Sequence, residues 1–202
     1  VPDGDFFART IAVPSGEPSL TSKVSRIVKV HRLREVVAQV GFTRFEAAVP
    51  DVNGELALDV ERAALSLDQD WLPAIENRGE GVFIGFKPER MEAWVKRKAV
   101  QDRTAQLARG FDAWKAANQA SSAKPLSTTY VMLHSLSHLL ITAVALDCGY
   151  ASSSIRERIY ASKSGYGILL YTASPDAEGT LGGLVESADR LDRYLRHAVE
   201  LG

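Results

Sequence analysis

Apolar positions along this chain follow two rhythms. Between Val24 and Val49 both are present: Val24, Ile27, Val28, Leu33, Val36, Val37 and Val40 suit a helix, while VKVHRL and FTRFEAAV alternate as strands do. The alternation predicts β structure here. Trp71-Leu72-Pro73 leads into AIENRGEGVFIGF, which predicts two short strands around Arg78-Gly79-Glu80-Gly81. IRERIY, beginning at Ile155, alternates apolar and charged as a half-exposed strand would. Gly165–Tyr171 then reads as its hairpin partner or neighbour.

Helical spacing governs the other segments. Residues 88–118 form the longest helical stretch, with Pro88 suited to a first turn and Met91, Trp94, Val95, Leu107, Phe111 and Trp114 as an apolar stripe. A second helix over roughly 127–147 is apolar on most faces, which predicts a place at the centre of the core. The last helix repeats Leu184, Ala188, Leu191, Leu195 and Ala198 on one face, with Glu186, Asp189, Arg190, Arg193 and Arg196 mostly elsewhere. Residues 1–23, rich in Pro, Gly and Ser, read as an extended lead-in to one domain over 24–202. Residues 50–70 read as a connection with turns at Pro50-Asp51 and Asn53-Gly54. The expected architecture is α+β: a small mixed or antiparallel sheet packed by three main helices, at about 88–118, 127–147 and 184–201.

Composition narrows the classes. The 202 residues, 46% apolar, suit one sizeable domain or two small ones. A net charge of −1 carries no global nucleic-acid signature. A single cysteine, Cys148, excludes an internal disulfide framework and a multi-cysteine zinc cage within these residues, and fits a reducing cytoplasm. No uninterrupted apolar run reaches membrane-span length and the opening VPDGDFFART lacks a signal-peptide pattern, so no membrane partner is expected. The chain opens without Met and stops within a helical pattern, the expectation being a piece of a longer polypeptide.

Candidate chemistry is local. His134 and His138, spaced i, i+4, share a helix face and can chelate a metal, with Glu157 or Glu178 as conceivable partners. The metalloprotease HExxH motif has this spacing, but Ser135 stands where its general-base Glu belongs. Two readings stand: core histidines bonded to polar neighbours, or a metal pair serving a metal-dependent hydrolase. The turn containing Gly179, Gly182 and Gly183 precedes a helix and has anion-binding geometry, although Asp176 and Glu178 oppose phosphate and no GxxxxGK[ST] is present. Two basic groups recur: Arg26, Lys29, His31, Arg32 and Arg34, then Lys96, Arg97, Lys98, Arg103 and Arg109. They could contact DNA phosphates or form solvated faces with pairs such as Glu92–Lys96. There is no GxSxG elbow, and Cys148 has no histidine near it in sequence, so catalysis is not expected.

Six motifs resemble the MrfA zinc-binding domain family: VHRLREV (30–36), GFTRFE (41–46), WLPAIENRGEGVFIGF (71–86), LHSLSHLLI (133–141), CGYASSSIRERIY (148–160) and GILLYTASPDAEGTLGGLV (167–185). GFTRFE and PAIENRGEGVF are more similar to the DrmB type, a subunit of the DISARM anti-phage system, than to the helicase type. The resemblance implies a non-catalytic component that engages DNA and docks a superfamily 2 helicase of the DrmA kind, which supplies ATP hydrolysis. A pure protein scaffold is the alternative. His134, His138, Tyr171, Glu178, Gly179, Gly182 and Gly183 would then be structural. The family's zinc cysteines would follow the last helix, so the resemblance implies zinc in the full-length protein and no cofactor in this chain.

Overall fold

Strand β2 (Val24–Ala38) and strand β3 (Ala74–Phe86) pair antiparallel along almost their whole lengths and form the spine of a five-stranded sheet. The computed structural model describes residues 4–14, 20–43, 63–65, 70–117, 124–162, 164–172 and 183–202. Strand β1 (Phe7–Ile11) lines up on the outer side of β2, while strands β4 (Ile155–Ser162) and β5 (Gly165–Thr172) form a hairpin on the other side of β3. The order is β1-β2-β3-β5-β4, antiparallel throughout. The α+β expectation holds, with an antiparallel sheet. Part of the expected lead-in is thus an edge strand, because β1 supplies β2 with hydrogen bonds that it would otherwise lack.

The two short strands expected around Arg78–Gly81 are one continuous strand. An irregularity lies opposite, where Val30 faces Gly81 but Leu33 faces Gly79, so β2 carries the one extra residue of a bulge. Gly81 is required there: a Cβ would lie 2.5 Å from the carbonyl oxygen of Leu170 on β5. The Glu80 side chain is buried beside this bulge. One of its oxygens accepts hydrogen bonds from the Leu184 amide (2.8 Å) and the Tyr150 hydroxyl (3.4 Å). A carboxylate at the start of a helix satisfies an amide that the helix leaves unpaired.

The expected first helix is broken. Helix α1 (Pro88–Val95) opens on Pro88 and ends at Lys96, and helix α2 (Lys98–Ala117) follows. Lys96 caps the end of α1, its amide donating to the Glu92 carbonyl, and on α2 Lys98 pairs with Asp102. Helix α3 (Thr128–Cys148) starts at Ser127, whose hydroxyl accepts from the Tyr130 amide (3.1 Å), and stops at Gly149 with φ 73°. Among the described residues α3 is long and apolar enough to cross a bilayer by length and composition. Here it is the central helix: Leu133, Leu140, Ile141 and Val144 pack into one cluster with Ile84, Ile159, Ile168 and Leu170 of the sheet. Each such buried aliphatic side chain contributes about 1.5–3 kcal/mol.

The final helical segment comprises helix α4 (Gly183–Ser187), a 3₁₀ turn (Ala188–Arg190) and helix α5 (Leu191–Leu201). Its expected face is buried throughout: Leu184, Ala188, Leu191, Leu195 and Ala198 all join the core. Lys29, on the helix-covered face of β2, pairs with Asp189 (2.7 Å) and Glu186 (3.5 Å), tying sheet to helix.

Candidate functional site

Strand alternation gives the sheet two chemically distinct faces. On β4, Ile155, Glu157 and Ile159 turn toward the helices, while Arg156, Arg158 and Tyr160 turn away. On β3 and β5 the same division buries Val82, Ile84, Ile168 and Leu170, and leaves Phe83, Leu169 and Tyr171 on the other side.

The uncovered face forms an open groove of about 890 Å³ whose walls include Arg26, Phe83, Arg158, Tyr160, Tyr166 and Tyr171. The Arg26 guanidinium lies 5.1 Å from the centre of the Phe83 ring, and Tyr160 meets Phe83 edge-on at 5.7 Å. Gly167 lets Phe83 lie flat across the sheet, since a Cβ there would stand 2.6 Å from its ring. At one end Glu35 accepts from Arg156 (2.7 Å) and from the Tyr171 hydroxyl (2.9 Å). Burial, with the Glu35 hydrogen bond, raises the pKa of Tyr171 above the usual tyrosine value.

The covered face holds a second arrangement. Glu157 projects from β4 under α3, between the side chains of His134 and His138. Its Oε1 lies 3.0 Å from His134 Nε2 and 3.2 Å from His138 Nε2, and the two Nε2 atoms are 3.0 Å apart. The buried Ser137 hydroxyl touches the other carboxylate oxygen at 2.9 Å and the His134 carbonyl at 2.7 Å. The carboxylate is largely enclosed, with 18% of its side chain exposed, whereas His138 is 63% exposed. These three side chains can meet around a metal ion. Glu157 is thus the polar neighbour of both histidines, which lie at the edge of the core and are partly exposed. Glu178, the other conceivable partner, lies outside the described residues, as do Gly179 and Gly182.

The remaining sequence candidates are dispersed. Lys29 is buried and paired; Arg32 donates to the Gly4 carbonyl (2.7 Å); Arg34 pairs with Asp5 (2.6 Å) and Glu76 (2.9 Å). Arg26 and Arg34 reach the open groove, whereas Lys96, Arg97, Lys98 and Arg103, at the α1–α2 junction and the start of α2, are not among its walls. Gly183 opens α4 against Tyr150, where a Cβ would come within 3.0 Å of its hydroxyl. Half-buried Cys148 lies 3.6 Å from the Gly183 carbonyl. Sequence reasoning missed Phe83, Arg158 and Tyr160 as surface groups. The alternation of IRERIY already placed Arg156, Arg158 and Tyr160 on one face.

Residues 136–201 match the MrfA Zn-binding domain. That part of the chain is similar to the MrfA Zn-binding domain family. The match covers α3 from Leu136 onward, the β4–β5 hairpin and α5, and so includes Ser137, His138 and Glu157. The chain is also 38% identical over 202 residues to the DISARM protein DrmB of Bacillus paralicheniformis, an alignment covering 98% of this chain and 35% of that relative. It therefore spans about a third of the relative's length. Zinc named for the family finds no cysteine set here, since Cys148 is the single cysteine. Among the described residues, His134, His138 and Glu157 form a donor set that fits a divalent ion.

Proposed function

We propose that this chain is the part of a DISARM-type anti-phage subunit that engages DNA and docks a helicase, without catalysing a reaction itself. The 38% identity to a DISARM protein across 98% of the chain carries this reading. The uncovered sheet face supplies its chemistry. Bases stack on exposed aromatic rings and phosphates attract arginines, at a stacking contribution of about 1–3 kcal/mol per base. Phe83, Tyr160 and Tyr171 are the rings, and Arg26 and Arg158 the cations, in this proposal. Lys96, Arg97, Lys98 and Arg103 form a second contact for the DNA backbone. Along α2, where no described side chain is buried, Leu107, Phe111 and Trp114 present an apolar stripe for a superfamily 2 helicase partner that supplies ATP hydrolysis. The complex would act in the cytoplasm, where invading DNA is met.

The test is fluorescence anisotropy of the full-length protein, alone and with its helicase, on single-stranded and duplex DNA. The double variant R26E/R158E is expected to weaken single-strand binding at least tenfold and to lower the slope of log affinity against log salt by roughly 1–2. Unchanged affinity in that variant and in K96E/R97E/R103E overturns DNA engagement by these surfaces. Loss of helicase capture in L107D/W114D with DNA affinity retained would assign α2 to docking. Retained capture would remove it from that role.

A further inference from the structure

We propose that His134, His138 and Glu157 form a binding site for a divalent transition-metal ion of the zinc class, separate from any cysteine site elsewhere in the full-length protein. Three donor atoms form a nearly equilateral triangle with edges of 3.0, 3.0 and 3.2 Å. A neutral imidazole carries one N–H, and a carboxylate carries none. If both Nε2 atoms are protonated, each can donate to Glu157, and two N–H groups are then pressed together along the third edge. If one is protonated, a lone pair faces another lone pair. No tautomer turns all three edges into hydrogen bonds, whereas one cation among the three atoms satisfies every edge.

The size of the triangle agrees. Zinc–nitrogen and zinc–oxygen bonds of about 2.0–2.2 Å, meeting at right to tetrahedral angles, separate ligand atoms by roughly 2.8–3.6 Å. Two imidazoles and a carboxylate are ordinary ligands for such ions. The surroundings are also those of a metal site. Ser137, one residue before His138 and buried, holds the second oxygen of Glu157, so the carboxylate is aimed by a neighbour in the way metal carboxylates are. The i, i+4 histidines lie on a regular α-helix, and Glu157 on a paired strand, so two rigid elements fix the ligands. His134 and His138 are 43% and 63% exposed, leaving the remaining coordination positions accessible to water or to a partner.

The experiment uses the full-length protein, stripped with chelator, equilibrated with Zn2+ or Co2+ alone, dialysed and assayed for metal per chain. The visible Co2+ spectrum reports the ligand environment. Because any cysteine site contributes its own ion, the informative quantity is the difference between wild type and variant. H138N, at an exposed position, and H134N/H138N are each expected to retain one ion fewer per chain than wild type, with unchanged circular dichroism. C148S is expected to retain the wild-type number. S137A is expected to bind about 10–100-fold more weakly while keeping the site. Equal metal content in wild type and H134N/H138N, with both proteins folded, overturns the proposal. So does a Co2+ spectrum identical in the two. The outcome is independent of DNA affinity, so this site and the DNA reading stand or fall separately.

Discussion

At the scale of single residues, polar side chains add specific ties to the apolar core, between sheet and helix and between one helix and another. Lys29 reaches Asp189 and Glu186; Glu80 receives the Leu184 amide; Tyr194 donates to Asp147, which Arg190 and Arg193 also flank. These contacts shift titrations in definite directions. The hydrogen bond to Asp189 raises Lys29 above the usual lysine value. Burial first, and the Asp147 contact second, raise Tyr194; burial likewise raises Tyr150, with the Glu80 charge adding to it. In each case the folded state holds its proton more tightly than the unfolded chain. Their contribution is therefore fully present below the unfolded values, about 10 for tyrosine and 10.4 for lysine, and is lost as pH rises through the folded ones. Asp147 is shifted the other way, chiefly by the Tyr194 hydrogen bond, so its contribution disappears as pH falls through its lowered value. Urea midpoints measured from pH 8 to pH 11 are expected to decline above about pH 10. K29M/Y194F should flatten that decline. A midpoint independent of pH over this range would contradict the assignment.

At the scale of elements, α2 and α3 differ in kind despite nearly equal length. Alanine at Leu140 in α3, fully buried, is expected to cost about 2–5 kcal/mol. Alanine at Leu107 or Trp114 in α2, both more than a third exposed, should stay within about 1 kcal/mol. Calorimetric melting of the three variants checks the contrast; a large loss at Leu107 would mean that α2 packs on the core. The sequence already separated the two helices, since the one over 127–147 is apolar on most faces and the one over 88–118 carries a single stripe. The structure agrees: residues of α3 join the cluster of Ile159, Ile168 and Leu170, and among the described residues none of α2 belongs to it. The final helical segment was legible too, its face of Leu184, Ala188, Leu191, Leu195 and Ala198 running through α4, the 3₁₀ turn and α5 into the core. The continuous β3 was not, because Gly79-Glu80-Gly81 reads as a turn until a neighbouring strand needs close approach at Gly81 and a carboxylate beneath α4.

At the scale of the whole molecule, the two candidate sites occupy opposite faces of one sheet, with chemistry that does not mix. The i, i+4 histidines were visible in the sequence, and the choice of Glu157 over Glu178 needed the fold. The basic groups were visible too, but charge counting could not tell that Lys29 is consumed by an internal ion pair while Arg26 lies over Phe83. H138N is accordingly expected to change DNA affinity by less than twofold in anisotropy titrations, and R26E/R158E to leave metal content at its wild-type value. A tenfold loss of DNA binding in H138N would show that the two faces are coupled.

Strand β4 takes part in both arrangements, with Arg156, Arg158 and Tyr160 pointing one way and Glu157 the other. Its eight residues are a double-sided sentence, read in alternate letters. Evolution can therefore edit either message by substitution, one position at a time. It cannot insert a single residue between Arg158 and the hairpin turn without turning the carboxylate out into the groove and an arginine in beneath the histidines.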